Sequence, residues 1–92
     1  MNPQRAEELA LAALGWIAAS EDLMGVFLGT TGSSIETVRV QAGDPAFLGS
    51  VLDFLLMDDS WVAGFCDANA LDYRQPMIAR QLLPGGDVPN WT

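Results

Sequence analysis

The chain has 92 residues, which is room for one domain, and a formal net charge of −8 without a lysine or a histidine. Nucleic acids and anionic lipids bind clustered basic side chains, so the acidic balance predicts neither a nucleic-acid partner nor a membrane partner. Histidine is the commonest general base and metal ligand. Its absence predicts a protein that is not an enzyme and that holds no metal and no cofactor.

Composition also constrains the surface and the compartment. Only 17% of the residues are charged while 50% are hydrophobic, so we expect apolar side chains on the surface, where they would serve self-association or a partner. Cys66 is the only cysteine, which rules out an intramolecular disulfide and suits a reducing compartment. The apolar run 9–19 follows more acid than base and is too short to cross a bilayer, so we interpret it as a helix of a cytoplasmic protein rather than a signal peptide.

Hydrophobic spacing and capping residues predict three helices in the first half of the chain. The first covers residues 3–19 and the second covers 20–29, where a glycine ends it. Ser33 and Glu36 have the S-x-x-E spacing of a capping box, which predicts a third, short helix through Ala42. The apolar side of this third helix carries Ile35, Val38 and Ala42.

A fourth helix follows the clearest punctuation in the sequence. Asp44 can cap it and Pro45 suits its first position. Between about 45 and 57 it is apolar around most of its circumference, so we expect it to be the central helix against which the others pack. Its apolar residues are Phe47, Leu48, Val51, Leu52, Phe54, Leu55 and Leu56.

Two more helices and a tail complete the predicted elements. The acids and serine at 58–60 recap the chain for a fifth helix, and 69–72 form a turn. A sixth helical segment covers 73–83, beginning near Pro76. Pro84-Gly85-Gly86 ends it, and the tail 87–92 follows. The apolar residues of these helices are Trp61, Val62, Phe65, Cys66, Met77, Ile78, Leu82 and Leu83.

The fold class that follows is all-α, because no segment has the alternation of a β-strand. We expect a compact bundle of five to six short helices around the central helix. Residues 1–86 would form a single domain and 87–92 a C-terminal tail. Trp91 in that tail either belongs to a frayed terminus, folds back over a groove in the core, or anchors a partner, and its terminal position favours the first two interpretations over the third.

The sequence also repeats itself weakly at an offset of about 38 residues. Phe27 then aligns with Phe65 and Ile35 aligns with Tyr73, and each copy has acids, an apolar helix, a turn of mostly small residues and a second helix. This pattern indicates two similar αα-hairpins flanking the central helix. Unrelated amphipathic helices can produce the same pattern, so duplication and coincidence both stay open.

Helix–turn–helix DNA binding is one alternative for these hairpins. A recognition helix needs basic and amide side chains, and 73–81 offers Arg74, Gln75, Arg80 and Gln81. The segment 34–41 offers only Arg39 and Gln41 beside an acid. Because both lie on an acidic chain, ordinary packed hairpins are the better interpretation.

Other candidate chemistry also has a simpler structural explanation. Asp53, Asp58 and Asp59 lack the alternating pattern of a calcium loop, so we expect helix capping instead. Cys66 has no histidine to activate it and lies on an apolar face, so we expect a buried structural cysteine. The glycine-rich segment 29–34 has no following lysine and therefore does not predict a phosphate-binding loop.

Three blocks carry a resemblance to a known family: LGWIAASEDLMGVFLGTTG, AGDPAFLGSVLDFLLMDDSWVAGFCDANAL and ARQLLPGG. Over about 9–86 the chain resembles a family of short, uncharacterised proteins found mainly in alphaproteobacteria, domain of unknown function 3572. The resemblance implies a helical, cytoplasmic bacterial protein and brings no catalytic residues with it.

The function that we expect from the sequence is a non-enzymatic protein–protein interaction module, with a second copy of the chain or an unknown protein as partner. Low charge and high apolar content favour this hypothesis. The alternative is an acidic regulator that competes with nucleic acid for a basic partner protein, which the net charge of −8 favours.

Overall fold

The computed structural model describes residues 1–84 and contains six helices there, with no strand in that range. This confirms the predicted all-α fold. The tail 87–92 with Trp91 lies outside the described residues. The helices are α1 (Pro3–Ala18), α2 (Glu21–Thr31), α3 (Ile35–Gln41), α4 (Pro45–Leu55), α5 (Asp59–Asn69) and α6 (Gln75–Gln81).

Capping side chains fix the start of five of these helices. In each, a side-chain oxygen accepts a hydrogen bond from a backbone N–H of the first turn, which no helical carbonyl can satisfy. α6 differs, because Arg74 before it makes no side-chain cap and Pro76 lies in its first turn. The capping residues are Asn2, Ser20, Ser34, Asp44 and Asp58.

The core lies between α1 and α4. α4 is buried around most of its circumference, as predicted for the central helix, and it packs against α1 and α6. α1 packs against α4, α6 and α2, so the two helices share the central position. Phe27, Phe54 and Phe65 are the largest side chains with almost no exposed surface. Burying each stabilises the fold by about 1.5–3 kcal/mol.

Two predicted boundaries in the first hairpin are wrong. α2 continues past Gly29 to Thr31, and the helix ends where Gly32 adopts the left-handed conformation at φ +70°. Gly29 lies inside the helix, where glycine costs only about 1 kcal/mol relative to alanine. The cap of α3 is Ser34 rather than Ser33, because Ser33 still donates its N–H back to Leu28 in the closing turn of α2.

The end of the central helix is also earlier than predicted. The N–H of Met57 bonds to Phe54, three residues back, so the helix tightens into a turn after Leu55. Met57 is consequently 67% exposed. The turn leads directly into the Asp58 cap of α5.

Several apolar residues assigned to packing faces are exposed instead. Ile35 on α3 and Met77 and Ile78 on α6 lie largely in solvent, while Val38 and Ala79 of the same helices are buried. A seven-residue helix has two turns, so only a narrow stripe of it can face the core. The exposed residues confirm the expectation of an apolar surface.

The hairpins α2–α3 and α5–α6 end their first helices in the same way. The N–H of Gly32 donates to the carbonyl of Leu28, and the N–H of Ala70 donates to the carbonyl of Cys66. Gly32 and Ala70 are both left-handed and lie about 38 positions apart in the chain, as do the two acceptors. The similarity predicted for the two hairpins therefore extends to their backbone geometry.

Candidate functional site

A groove opens where α1 ends and where α2 and α5 begin. Its volume is about 570 Å³, within the range of about 300–1,000 Å³ that is typical of binding sites. The wall is mostly apolar and includes two large aromatic rings. The lining residues are Trp16, Ala19, Ser20, Asp22, Leu23, Val26 and Trp61.

Trp16 forms one wall of this groove, which we call the tryptophan groove. Its ring meets Phe65 edge to face, with centroids 6.2 Å apart and an interplanar angle of 66°. A Cβ on Gly64 would lie 2.9 Å from Cζ2 of Trp16. Glycine at that position of α5 therefore lets the indole lie directly on the helix backbone.

Trp61 also lines the groove, and its ring packs against the core. It stacks on Phe54 with ring centroids 4.7 Å apart and planes 23° apart. Phe54 in turn meets Phe27 edge to face at 5.2 Å. Both tryptophans thus rest on fully packed core rings, and the groove between them is preformed.

The rim of the tryptophan groove is acidic. Asp22 lies in its wall and follows Glu21, while Asp58 and Asp59 come shortly before Trp61. The pKa of Asp58 is lowered, first by the hydrogen bond from the Ser60 hydroxyl and then by that from the Ser60 N–H. Asp58 is therefore ionised at neutral pH.

No arginine lines the groove, so none of them neutralises the negative charge of its rim there. Three of the four pair with acids elsewhere: Arg5 with Glu8 at 3.3 Å, Arg74 with Asp72 at 3.0 Å and Arg80 with Asp53 at 2.5 Å. These ion pairs neutralise Arg74 and Arg80, two of the side chains that the helix–turn–helix hypothesis needs.

Cys66 is buried, as the sequence predicts, and its thiol donates to the carbonyl of Asp72 across 3.6 Å. Burial raises the pKa of this thiol, and the charges of Asp67 and Asp72 raise it further. A thiol with a raised pKa is a poor nucleophile. The hydroxyl of Tyr73 donates to Asp67 at 2.7 Å and ties the start of the second hairpin arm to α5.

The acids considered for cation binding are dispersed by the fold. Asp53 engages Arg80, and Asp58 caps α5, as the sequence predicts for that position. Within residues 1–84, no three histidine, cysteine or acidic side chains gather into a group that could hold a metal ion. The glycine-rich segment 29–34 forms the end of α2 and the cap of α3.

A second, smaller depression of about 360 Å³ lies along α3. Ser34, Glu36 and Thr37 line it together with Val40 and Gln41, all from a single short helix and its cap. It lacks a second wall. The tryptophan groove, built from three helices, is the better candidate for binding.

Sequence reasoning missed the tryptophan groove, although it placed Trp16 and Trp61 on apolar helix faces. Trp16 and Trp61 are 45 positions apart in the sequence, by their numbers, and come together only through the packing of α1 and α5 on the core. One signal in the sequence could have found it. Tryptophan combines a large apolar ring with a polar N–H, so two tryptophans in a small domain are expected at partly exposed positions.

No single helix among residues 1–84 is long and apolar enough to cross a membrane. α1 and α2 together would reach the required length and composition, but the chain bends by 116° between them.

Comparison with known proteins gives one finding. The model of the family described as "Protein of unknown function (DUF3572)" matches residues 3–86. No match was found among curated proteins or among solved structures. Because the matched region includes all six helices and the whole tryptophan groove, the chain belongs to this family of proteins of unknown function.

Proposed function

We propose that the protein is a non-enzymatic protein–protein interaction module and that the tryptophan groove is its docking surface. The observation that carries this proposal is the pair Trp16 and Trp61, which contact core rings and also line an open groove. Tryptophan is enriched among residues that dominate binding energy at protein interfaces. Rigid walls also lower the entropy cost of binding.

The surroundings of the groove fit a protein ligand. Val26, in its wall, is 49% exposed, and Leu23 contributes a second partly buried aliphatic side chain. Apolar surface of this kind is what a partner would cover. The raised pKa of Cys66 and the use of Asp53 and Asp58 in structural contacts favour a role without catalysis.

Val26→Glu tests the docking function, because it places a charge in the groove wall at a position that is already exposed, so that no buried residue is replaced. Val40→Glu on α3 is the matched control, since Val40 is 84% exposed and lies off the groove. We expect a partner cross-linked in cell extract by the wild-type protein and by V40E, but not by V26E. The purified partner should then bind V26E at least about tenfold more weakly.

Equal binding of that partner by wild type and V26E would refute the groove as the docking surface. Circular dichroism and a denaturation midpoint of each variant verify that the fold is unchanged. A partner recovered by all three proteins would locate the interaction elsewhere on the surface.

The second candidate is an acidic regulator that competes with nucleic acid for a basic partner. The ion pairs support it, because they neutralise three of the four arginines and leave most of the acids unopposed. It requires that a short DNA duplex displaces the protein from its partner and that rising salt weakens the complex. An interaction insensitive to both would favour docking without competition.

A further inference from the structure

We infer that the tryptophan groove binds a positively charged peptide segment of its partner, anchored by large apolar side chains and flanked by lysine or arginine. This inference rests on the proposed docking function and names the chemistry of the segment that docks. It is carried by the apolar walls and the acidic rim of the same groove.

The electrostatic potential of the groove is set by the carboxylates and the helix ends around it. Asp22 lies in the wall and Glu21 comes between the lining residues Ser20 and Asp22, while Asp58 and Asp59 precede the lining residue Trp61 by three and two positions. The starts of α2 and α5 each contribute about half a positive charge and the end of α1 about half a negative one. These dipoles sum to about +0.5, which is less than the charge of the Asp22 carboxylate alone, and the neighbouring acids and the net charge of −8 make the surroundings of the groove negative.

The apolar walls set the second requirement. A volume of about 570 Å³ accommodates more than one large side chain, and its apolar lining includes Trp16, Trp61 and Val26. A cation placed over an indole face is attracted by the negative charge of the ring's π face in addition to its attraction to the rim. A basic segment with an aromatic or aliphatic anchor satisfies both the walls and the rim.

A second copy of this chain is a poor occupant on the same grounds. Each copy carries a net charge of −8, and three of its four arginines are already paired within the molecule. Docking one copy into the groove of another would bring acid against acid. The segment 85–92 of the chain contains Asp87 and no basic residue, so it lacks the required charge as well.

A peptide-display selection tests the inference. Random peptides of about twelve residues are selected on the wild-type protein and depleted on the uncharged polar variant Val26→Gln, with Val40→Gln as the control target. We expect the retained peptides to carry net positive charge and at least one tryptophan, phenylalanine or leucine. The leading peptide should bind about tenfold more weakly at 500 mM than at 50 mM salt.

Substitutions at the rim separate charge from shape. The double variant Asp22→Asn, Asp59→Asn keeps the side-chain size and removes two of the carboxylates, and we expect it to bind the leading peptide about fivefold more weakly. Indole N–H signals of Trp16 and Trp61 should shift when the peptide is added. Binding that leaves both signals unmoved would place the peptide outside the groove and overturn the inference.

Retained peptides that are neutral or acidic, or no peptide that distinguishes wild type from Val26→Gln, would also overturn the inference. The docking function has its own test. Cross-linking of the partner should depend on Val26 whatever the charge of the partner's docking segment. A partner that requires Val26 but docks through a neutral or acidic segment would leave that function standing. Retained peptides that match residues 85–92, or another segment of this chain, would identify that segment or a second copy as the occupant and overturn the inference.

Discussion

The guanidinium of Arg80 lies in a fork on the carboxylate of Asp53, with Nε–Oδ1 and Nη2–Oδ2 distances of 2.5 and 2.9 Å. It also donates to the carbonyl of Pro84 at 3.0 Å. A Cβ on Gly49 would lie 2.7 Å from Nη1, so glycine on α4 makes room for the guanidinium. The side chain of Arg80 is only 13% exposed, and this pair fixes α6 to the central helix.

Asp53→Ala should lower the free energy of unfolding by about 1–3 kcal/mol, because it leaves a largely buried guanidinium without its carboxylate. Urea denaturation measures the change. Glu8→Ala is the matched control, since the ion pair between Glu8 and Arg5 is more than half exposed and should contribute less than about 0.5 kcal/mol. Equal effects of the two variants would contradict this role for Arg80.

Gly64→Ala should destabilise the fold by about 1–3 kcal/mol, because the new methyl group would overlap the Trp16 ring. Gly25→Ala provides the contrast, since nothing lies within 4 Å of a Cβ built there in the middle of α2. It should stabilise by about 0.5–1 kcal/mol through helix propensity. Thermal denaturation and tryptophan fluorescence compare the two, and a shift in emission is expected only for Gly64→Ala.

Ala70→Gly should stabilise the protein by about 0.5–1 kcal/mol. Ala70 is the only residue other than glycine with a positive φ among the described residues, at 54°, and glycine adopts that conformation without strain. Gly32→Ala, at the equivalent position of the first hairpin, should destabilise by about 1 kcal/mol. Denaturant midpoints that move in the same direction for both variants would show that the two turns are not equivalent.

Acid should weaken the fold partly through Asp72. Its pKa falls from 3.8 to about 2, first because the Arg74 side chain donates to it and then because the Arg74 N–H does. Because the folded pKa lies below the unfolded one, this contribution is complete above about pH 4 and is lost as the pH falls towards 2. Urea midpoints at pH 5 and pH 3 should therefore differ more for wild type than for Asp72→Asn. In Arg74→Gln, carboxyl NMR should show the pKa of Asp72 moving back towards 3.8.

Cys66 should react with a disulfide reagent at pH 8 far more slowly in the folded protein than in urea. Its side chain has no exposed surface, and burial raises the pKa of the thiol. The measurement is the ratio of the two rates by absorbance. Fast labelling of the folded protein would mean that α5 opens locally at its C-terminal end.

Local chemistry explains why most of the fold was predictable from the sequence. Asp44 followed by Pro45 is typical of the start of a helix and fits poorly inside one. A helix that is apolar around most of its circumference, as α4 is, has to be buried. The boundary at Gly29 failed because a glycine inside a helix and a glycine that ends one look alike in sequence. Only the left-handed backbone of Gly32 distinguishes them.

The candidate site was not predictable to the same degree. Trp16 and Trp61 were assigned to apolar faces, but spacing along a helix does not say which side chains of different helices will meet. The prediction that Ile35 and Ile78 lie on packed faces was wrong for a related reason. The exposure of these side chains depends on how short helices are oriented on the core. The family match, in turn, identifies relatives without describing a role.

The contact of α1 with α6 has a consequence for synthesis of the chain. Translation releases α1 before α6, yet one of the surfaces that covers the alanine and leucine stripe of α1 is provided by residues 75–81. Until these residues emerge from the ribosome, the stripe stays partly open to water and to other nascent chains. We therefore expect this domain to finish folding only after residues 75–81 have emerged, with chaperones able to bind the growing chain in the interval.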